Sequence, residues 1–328
     1  MARRDQPAAE ELTVATIAFG LAAAGVLALA SAAMPGRAGA AGLDGLDFDT
    51  PSGAEGDRGR VTVGFQSVYT DGGVDGDGDA GPGVRTDTRN LLLALDYRFA
   101  EHWSVHLSLP YIVKRSLGDP GLHDPARLAA PYDGEFLDDG DWHGAWQDWQ
   151  LGVTYLGHWH GFDVRPHAVL TWPSHDYTYF ASAAPGRHLR KLRVGADVSR
   201  RFGRTNLHWS AGYSYEFVEE VLGRNLDKHH YRLSTRWDLS PAWSLNAFAN
   251  ARYSNGITPA DLAGQVPRSE LWHHHDQLLR HNYVLAGLGA SWRFADRWAL
   301  SASSAWPVRA DSMHRVRHAW DLQLSRSF

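Results

Sequence analysis

Two stretches of this chain say nearly the same thing: YRFAEHWSVHLSLP at 97–110 and WRFADRWALSASSAWP at 292–307. Each carries an aromatic residue into a tight polar turn, sets a Trp directly after it, and resumes an apolar–polar alternation. A period of two puts successive side chains on opposite faces of an extended strand, so each phrase reads as a β-hairpin with one apolar and one polar face. The same alternation divides the chain into twelve predicted strands, near 60–70, 86–99, 102–115, 146–157, 161–172, 188–202, 204–218, 226–239, 241–255, 276–295, 296–309 and 314–328.

The connections between these strands alternate in length. Short turns fall at FAEHW (99–103), LGHWHGF (156–162), RFGRTN (201–206), DLSPAW (238–243) and FADRW (294–298). Longer loops fall at 71–85, 116–145, 173–187, 219–225 and 256–275, with a brief one at 310–313. A soluble sandwich has no reason to sort its loops this way. An all-β, up-and-down antiparallel transmembrane barrel of about twelve strands does, with the short turns toward the periplasm. One face of each strand agrees: Leu91, Leu93, Leu95, Tyr97 and Phe99 share one face, and Leu207, Trp209, Ala211, Tyr213, Tyr215 and Phe217 alternate with small or polar residues. Trp103, Trp243, Trp298, Phe162 and Phe294 sit beside the short turns, and Tyr111, Tyr253, Trp306 and Trp172 lie further along the strands. At about 3.3 Å per residue and a tilt near 40°, the separation is roughly 20–25 Å, the height of an apolar band between two aromatic girdles.

Composition fits a wall one side chain thick. The 328 residues hold 14 Trp, 12 Tyr and 12 Phe, and the net charge is -5, while mean hydropathy is negative. Near-balanced charge leaves no nucleic-acid footprint. The absence of cysteine excludes disulfides, thiolate metal sites and cysteine nucleophiles. After MARR and an acidic patch, an Ala-rich run ends in ASA and AGA, which predicts a signal peptide over 1–40; a retained helical anchor is the alternative for a run of that length. A flexible periplasmic lead-in over 41–59 and a barrel over 60–328 follow, placing the chain in a Gram-negative outer membrane among lipid and lipopolysaccharide.

The closing stretch AWDLQLSRSF puts Trp320, Leu322, Leu324 and Phe328 on one face. A terminal Phe on an amphipathic strand resembles the signal that outer-membrane proteins present to the barrel assembly machinery, with Arg326 where that pattern carries an apolar residue. Pro166, mid-strand and outward by parity, predicts a bulge. With the strands placed, LSLPYIV (107–113), QDWQLGVTYL (147–156) and the ALDYRFAEHWSV hairpin resemble a family of outer-membrane barrels associated with the meta-cleavage pathway of phenol degradation. The family's Gly-Asp-x-x-x-Gly pattern meets Gln147, Asp148 and Gly152 here, so its first glycine is replaced. The resemblance implies a transporter-like barrel.

Strand parity supplies the candidate lumen residues. Inward positions include Arg98, Arg165, Arg193, Arg201, Arg232, Arg236, Arg252, Arg293, Arg309, Arg315 and Arg317, against Asp96, Asp163, Asp197, Glu216, Asp238 and Asp321, with His106, His167 and His208. These charges either pair across a filled lumen or, with Arg in excess, make a pore that favours small anionic solutes. Two loops offer metal-ligand chemistry. Asp75, Asp77 and Asp79 open like a calcium loop, but Thr86 stands where its closing Glu belongs. In ELWHHHDQLLRH, an extended backbone would let only His273 and His275 share an ion. A lipid-modifying barrel enzyme and a plugged structural or metal-binding barrel are the alternatives to a channel. For the enzyme, YSNG (253–256) has Arg252 where a serine hydrolase would need its His. The expectation is therefore a non-enzymatic channel or transporter without a cofactor.

Overall fold

The computed structural model describes residues 58–74, 80–118, 123–124, 134–202, 205–258, 261–262, 270–311 and 313–328. The expected signal peptide at 1–40, nearly all of the lead-in, and Asp75, Asp77 and Asp79 lie outside them. The described chain is mostly antiparallel sheet: β1 (Gly59–Val74), β2 (Ala80–Ala100), β3 (Trp103–Leu117), β4 (His143–Trp146), β5 (Trp149–Tyr155), β6 (Gly157–Trp159), β7 (Phe162–Trp172), β8 (Lys191–Arg201), β9 (Leu207–Val218), β10 (Lys228–Asp238), β11 (Trp243–Ser254), β12 (Asn282–Ala295), β13 (Trp298–Asp311) and β14 (Met313–Ser327). Two one-turn helices, α1 (Glu270–His273) and α2 (His275–Leu278), precede β12. β4, β5 and β6 are consecutive pieces of one stave, so the sheet is a closed barrel of 12 strands.

β1 completes the ring by pairing with β2 on one side and β14 on the other. Phe328 ends that seam, its N–H donating to the Gly59 carbonyl at 2.9 Å. Arg326 at the same rim lays its guanidinium over the Trp298 ring, 5.4 Å from the centroid. Turns at this end are tight. His160 (φ 49) and Gly161 (φ 81) form the two-residue link between Trp159 and Phe162, the left-handed pair whose twist matches that of the strands it joins.

The outer face is apolar. Val63, Leu93, Leu151, Leu170, Tyr213, Tyr231, Leu288 and Leu322 are all exposed, flanked by Trp103, Trp243 and Trp298 at one end and Trp146, Tyr253 and Trp306 at the other. Aromatic neighbours pack along these girdles, with Trp243 stacked on Trp292 at 5.6 Å and Trp103 edge-on to Tyr155 at 5.2 Å. A continuous apolar belt of this extent is untenable in water. On a closed barrel with a polar interior it is the surface that meets lipid, and the protein is an outer-membrane barrel.

Three expectations change. Most of the expected 71–85 loop is strand, because Thr70 and Thr86 join hydroxyls at 2.6 Å inside the barrel and pairing continues to Val74 and Ala80. The strand expected from 276 begins at Asn282, because 270–278 coils into α1 and α2 and buries Trp272 and Leu278. Pro166 makes no bulge. The β7–β8 register is unbroken there, and on the other side Pro166 falls opposite Tyr155, where β5 ends before β6 begins. The bulge lies instead opposite Pro110. Tyr111 pairs with Trp146 and Ser108 with Gln150, so the β4–β5 side carries one residue more than β3. The extra residue turns both Gln147 and Asp148 into the interior, where both are buried.

Candidate functional site

The interior holds two unlike regions. Along β11–β14 and β1, the inward residues Phe248, Tyr283, Leu285, Ala305, Ala310, Val316, Ala319 and Val68 form a buried apolar cluster. Phe248 lies flat over Gly287, where an added Cβ would run into the ring. Beside this cluster lies a cavity of about 170 Å³, whose lining runs from Gln66 and Gln323 round the wall to Arg252 and Tyr283. Its polar lining includes Gln66, Asn90, His106, Gln147, Asp148, Lys191, Arg193, Glu216, Lys228, His230 and Arg252.

The charges at this cavity are organised by the register of β8, β9 and β10. Arg193 and Lys228 are the pairing partners of Glu216 on its two sides. Glu216 is 5% exposed. It receives Lys228 at 3.1 Å, His230 at 3.6 Å and Arg193 at 3.8 Å. Asp148, turned in by the bulge, faces Lys191 at 3.4 Å and accepts a short hydrogen bond from the Tyr177 hydroxyl. Arg252 is 3% exposed and holds its guanidinium over the Tyr283 ring at 4.7 Å. Four fixed cations thus meet two carboxylates around one cavity.

Below it the pairs follow the wall. Arg232 reaches Asp197 at 3.4 Å and Arg236 reaches Asp238 at 3.0 Å. His208 lies 3.1 Å from Asp238, His167 lies 3.4 Å from Asp197, and His106 lies 2.8 Å from Asp96. Gly212 makes the Arg232 pair possible, since a Cβ there would strike the Asp197 carboxylate. These ion pairs lie within one strand or join neighbouring or next-neighbouring strands rather than opposite walls. A charged lumen therefore need not be a closed one.

Arg98 and Arg165 keep inward register, the latter opposite Asp197. Arg201, Arg293 and Asp163 sit at the short-turn rim and are exposed. Three arginines were misassigned by parity. A register shift between Val284 and Leu285 pairs Arg309 with outward Val284, leaving Ala310 inside. A second shift, at Tyr69 and Thr70, turns Val316 inward. Arg315 and Arg317 then both reach Asp71 on the outer face, at 3.3 and 3.0 Å. They join Arg115, paired with Asp87 at 2.6 Å, and Arg89; these last two both lie over the Trp142 ring, at 4.6 and 4.3 Å. Lys191, Lys228 and Asp148 were missed, although the parity that found Arg193 and Arg232 reaches both lysines.

Loops cap the cavity at the long-loop end. In the segment after β7, Tyr177 and the run from Phe180 to Ala184 are buried, and the inward-facing Lys114 donates to the Ala184 carbonyl at 3.2 Å. Asp138 accepts the backbone N–H groups of Ser182 and Ala183, each at 2.8 Å. Arg187 and Gln277 exchange hydrogen bonds through their carbonyls, at 3.3 and 2.8 Å. Leu189, Val218, Val221, Leu226, Ile257, Leu262 and Leu278 give the assembly a core of its own. Within it, His123 lies between Asp138 and Asp276. Burial alone would lower its pKa, but the two carboxylates outweigh that and push it up to about 10. His275, buried alongside, is lowered by desolvation. His273 does not join His275, because the backbone is helical there; it packs against Phe180 at 6.0 Å. Ser254 Oγ donates toward the His281 carbonyl and accepts the His281 N–H at 2.8 Å, a backbone-fixing role.

No protein-family model matches the chain. No curated protein matches it either. Among solved structures, it is similar to an outer membrane channel from Pseudomonas putida F1, with TM-score 0.66 and 13% identity, covering 87% of this chain and 100% of that one. It is more loosely similar to the translocator domain of the autotransporter NalP from Neisseria meningitidis, with TM-score 0.45 and 12% identity over 83% of this chain and 89% of that one. The CymD monoaromatic hydrocarbon channel gives TM-score 0.42 and 12% identity over the same shares. The first of these likenesses extends to the whole barrel, and the chain shares its fold with that channel.

Proposed function

We propose that this barrel is a channel for small solutes, selective for anions, and a relative of the transporter-like family associated with phenol degradation. The observation that carries the reading is the cavity whose lining sets Lys191, Arg193, Lys228 and Arg252 beside Asp148 and Glu216. Fixed cations in excess over fixed anions lower the energy of a passing anion and raise that of a cation. Wall-following ion pairs support an open path below the cavity, and the loop plug is the gate above it. On the outer face, Arg89, Arg115, Arg315 and Arg317 suit the phosphates of lipopolysaccharide.

The test is single-channel recording of the refolded barrel in a planar bilayer under a salt gradient. Discrete steps with a reversal potential on the anion side are expected, moved toward zero by Arg252→Ala. Cation preference would remove the anion reading. Silence from both the wild type and a variant lacking residues 177–187 would remove the channel reading.

A further inference from the structure

Within the loop plug lies a group of side chains for which solute passage has no evident use. His123, from the segment after β3, and His275 and Asp276, from α2, bring ligand-type atoms within 4.8 Å of one another. The two imidazoles stack with centroids 5.0 Å apart. The Asp276 carboxylate addresses both Nε2 atoms: Oδ2 is 2.9 Å from His123 and Oδ1 is 3.5 Å from His275. The opposite ring nitrogens are already committed. Asp138 Oδ2 holds His123 Nδ1 at 2.8 Å, and the Trp272 carbonyl holds His275 Nδ1 at 2.7 Å.

A carboxylate or carbonyl on Nδ1 is what orients a metal-ligating histidine, fixing the tautomer that leaves Nε2 to the metal. Here both rings are held this way, by different elements, around one carboxylate. We propose that His123 Nε2, His275 Nε2 and the Asp276 carboxylate form a site for a divalent transition metal of the zinc class. Two imidazoles and a carboxylate suit that class, whereas calcium and magnesium favour an all-oxygen shell. The surroundings suit a structural ion: both imidazoles are buried, and Phe180 packs edge-on against each ring, at 5.0 and 5.6 Å. The ion would displace the proton that His123 now shares with Asp276. It would tie the segment after β3 to the segment before β12, with the segment after β7 packed between them. The neighbouring histidines take no part. His273 packs on Phe180, and His274 stacks on Tyr179 and bonds Gln277 at 2.7 Å.

The experiment is zinc titration of the chelator-stripped, refolded full-length barrel by calorimetry, with cobalt substitution followed by visible absorption. One equivalent is expected for the wild type and for His273→Ala. Binding should be lost in His275→Ala and in Asp276→Asn, with folding of each variant checked by its heat-modifiable gel mobility. Two results would overturn the site: no stoichiometric zinc on the wild type, or one equivalent retained by a folded His275→Ala or Asp276→Asn barrel. The trio would then be an ionic hydrogen-bond relay from Asp138 to Asp276. Because binding is read without conductance, the outcome is independent of the channel assignment.

Discussion

Glu216 is the residue on which the most charge converges. It sits between Lys228, Arg193 and His230 with little exposure, so removing its charge strands the cations rather than releasing them. Glu216→Gln should destabilise the barrel by about 3–5 kcal/mol, the usual cost of breaking a buried pair from one side. Urea unfolding from lipid vesicles measures this, and an unchanged midpoint would refute it. Asp227, in the loop before β10, is a milder case. Burial raises its pKa, but the Tyr215 hydroxyl at 2.7 Å, the Val218 N–H at 2.9 Å and Asn225 at 2.9 Å outweigh that and hold it below the usual carboxylate range. A depressed folded-state pKa stabilises fully above the ordinary value, near 4, and the contribution is lost as pH falls through the lowered one. Asp227→Asn should therefore cost about 1–2 kcal/mol at neutral pH. The gap between variant and wild type should close in acid, and a gap independent of pH would count against the assignment.

Among the elements, the stave made of β4, β5 and β6 is shaped by two prolines it does not contain. Pro110 faces the bulge that turns Gln147 and Asp148 inward, and Pro166 falls opposite Tyr155, the last residue of β5 before the break. Pro166→Val restores a donor to β7 and should let β5 and β6 fuse. Slower hydrogen exchange at Tyr155 is the expected sign, and unchanged exchange would mean the break has another cause. These elements also mark what the sequence could reveal. Strand number, turn placement and the outward faces follow from a period of two, a local property legible over a dozen residues. Register shifts are set by pairing with another strand, so parity carried past the shifts at Tyr69 and Val284 put Arg309, Arg315 and Arg317 on the wrong face. The meeting of His123 with His275 depends on how two loops fold together, and no local pattern encodes it. Lys191 and Lys228 were legible; the lysines belonged in the parity count beside the arginines.

For the molecule as a whole, the apolar belt sets both orientation and stability. Leu93 lies outward near the middle of β2, with Val63 and Leu109 as its pairing partners. Leu93→Arg should cost about 2–4 kcal/mol in a bilayer, the penalty for a charge facing lipid at mid-depth. A neutral outcome would place Leu93 at an interface instead. The apolar cluster inside the barrel has a different consequence. Phe248 and its neighbours form an insulating slab, and the charged cavity runs beside it. A poorly polarisable flank confines field lines to the wet side of a channel, and mobile ions screen charges in such a slot less than on an open surface. Whatever charge preference the slot has therefore persists at ionic strengths that would mask the same residues on the outside of the barrel.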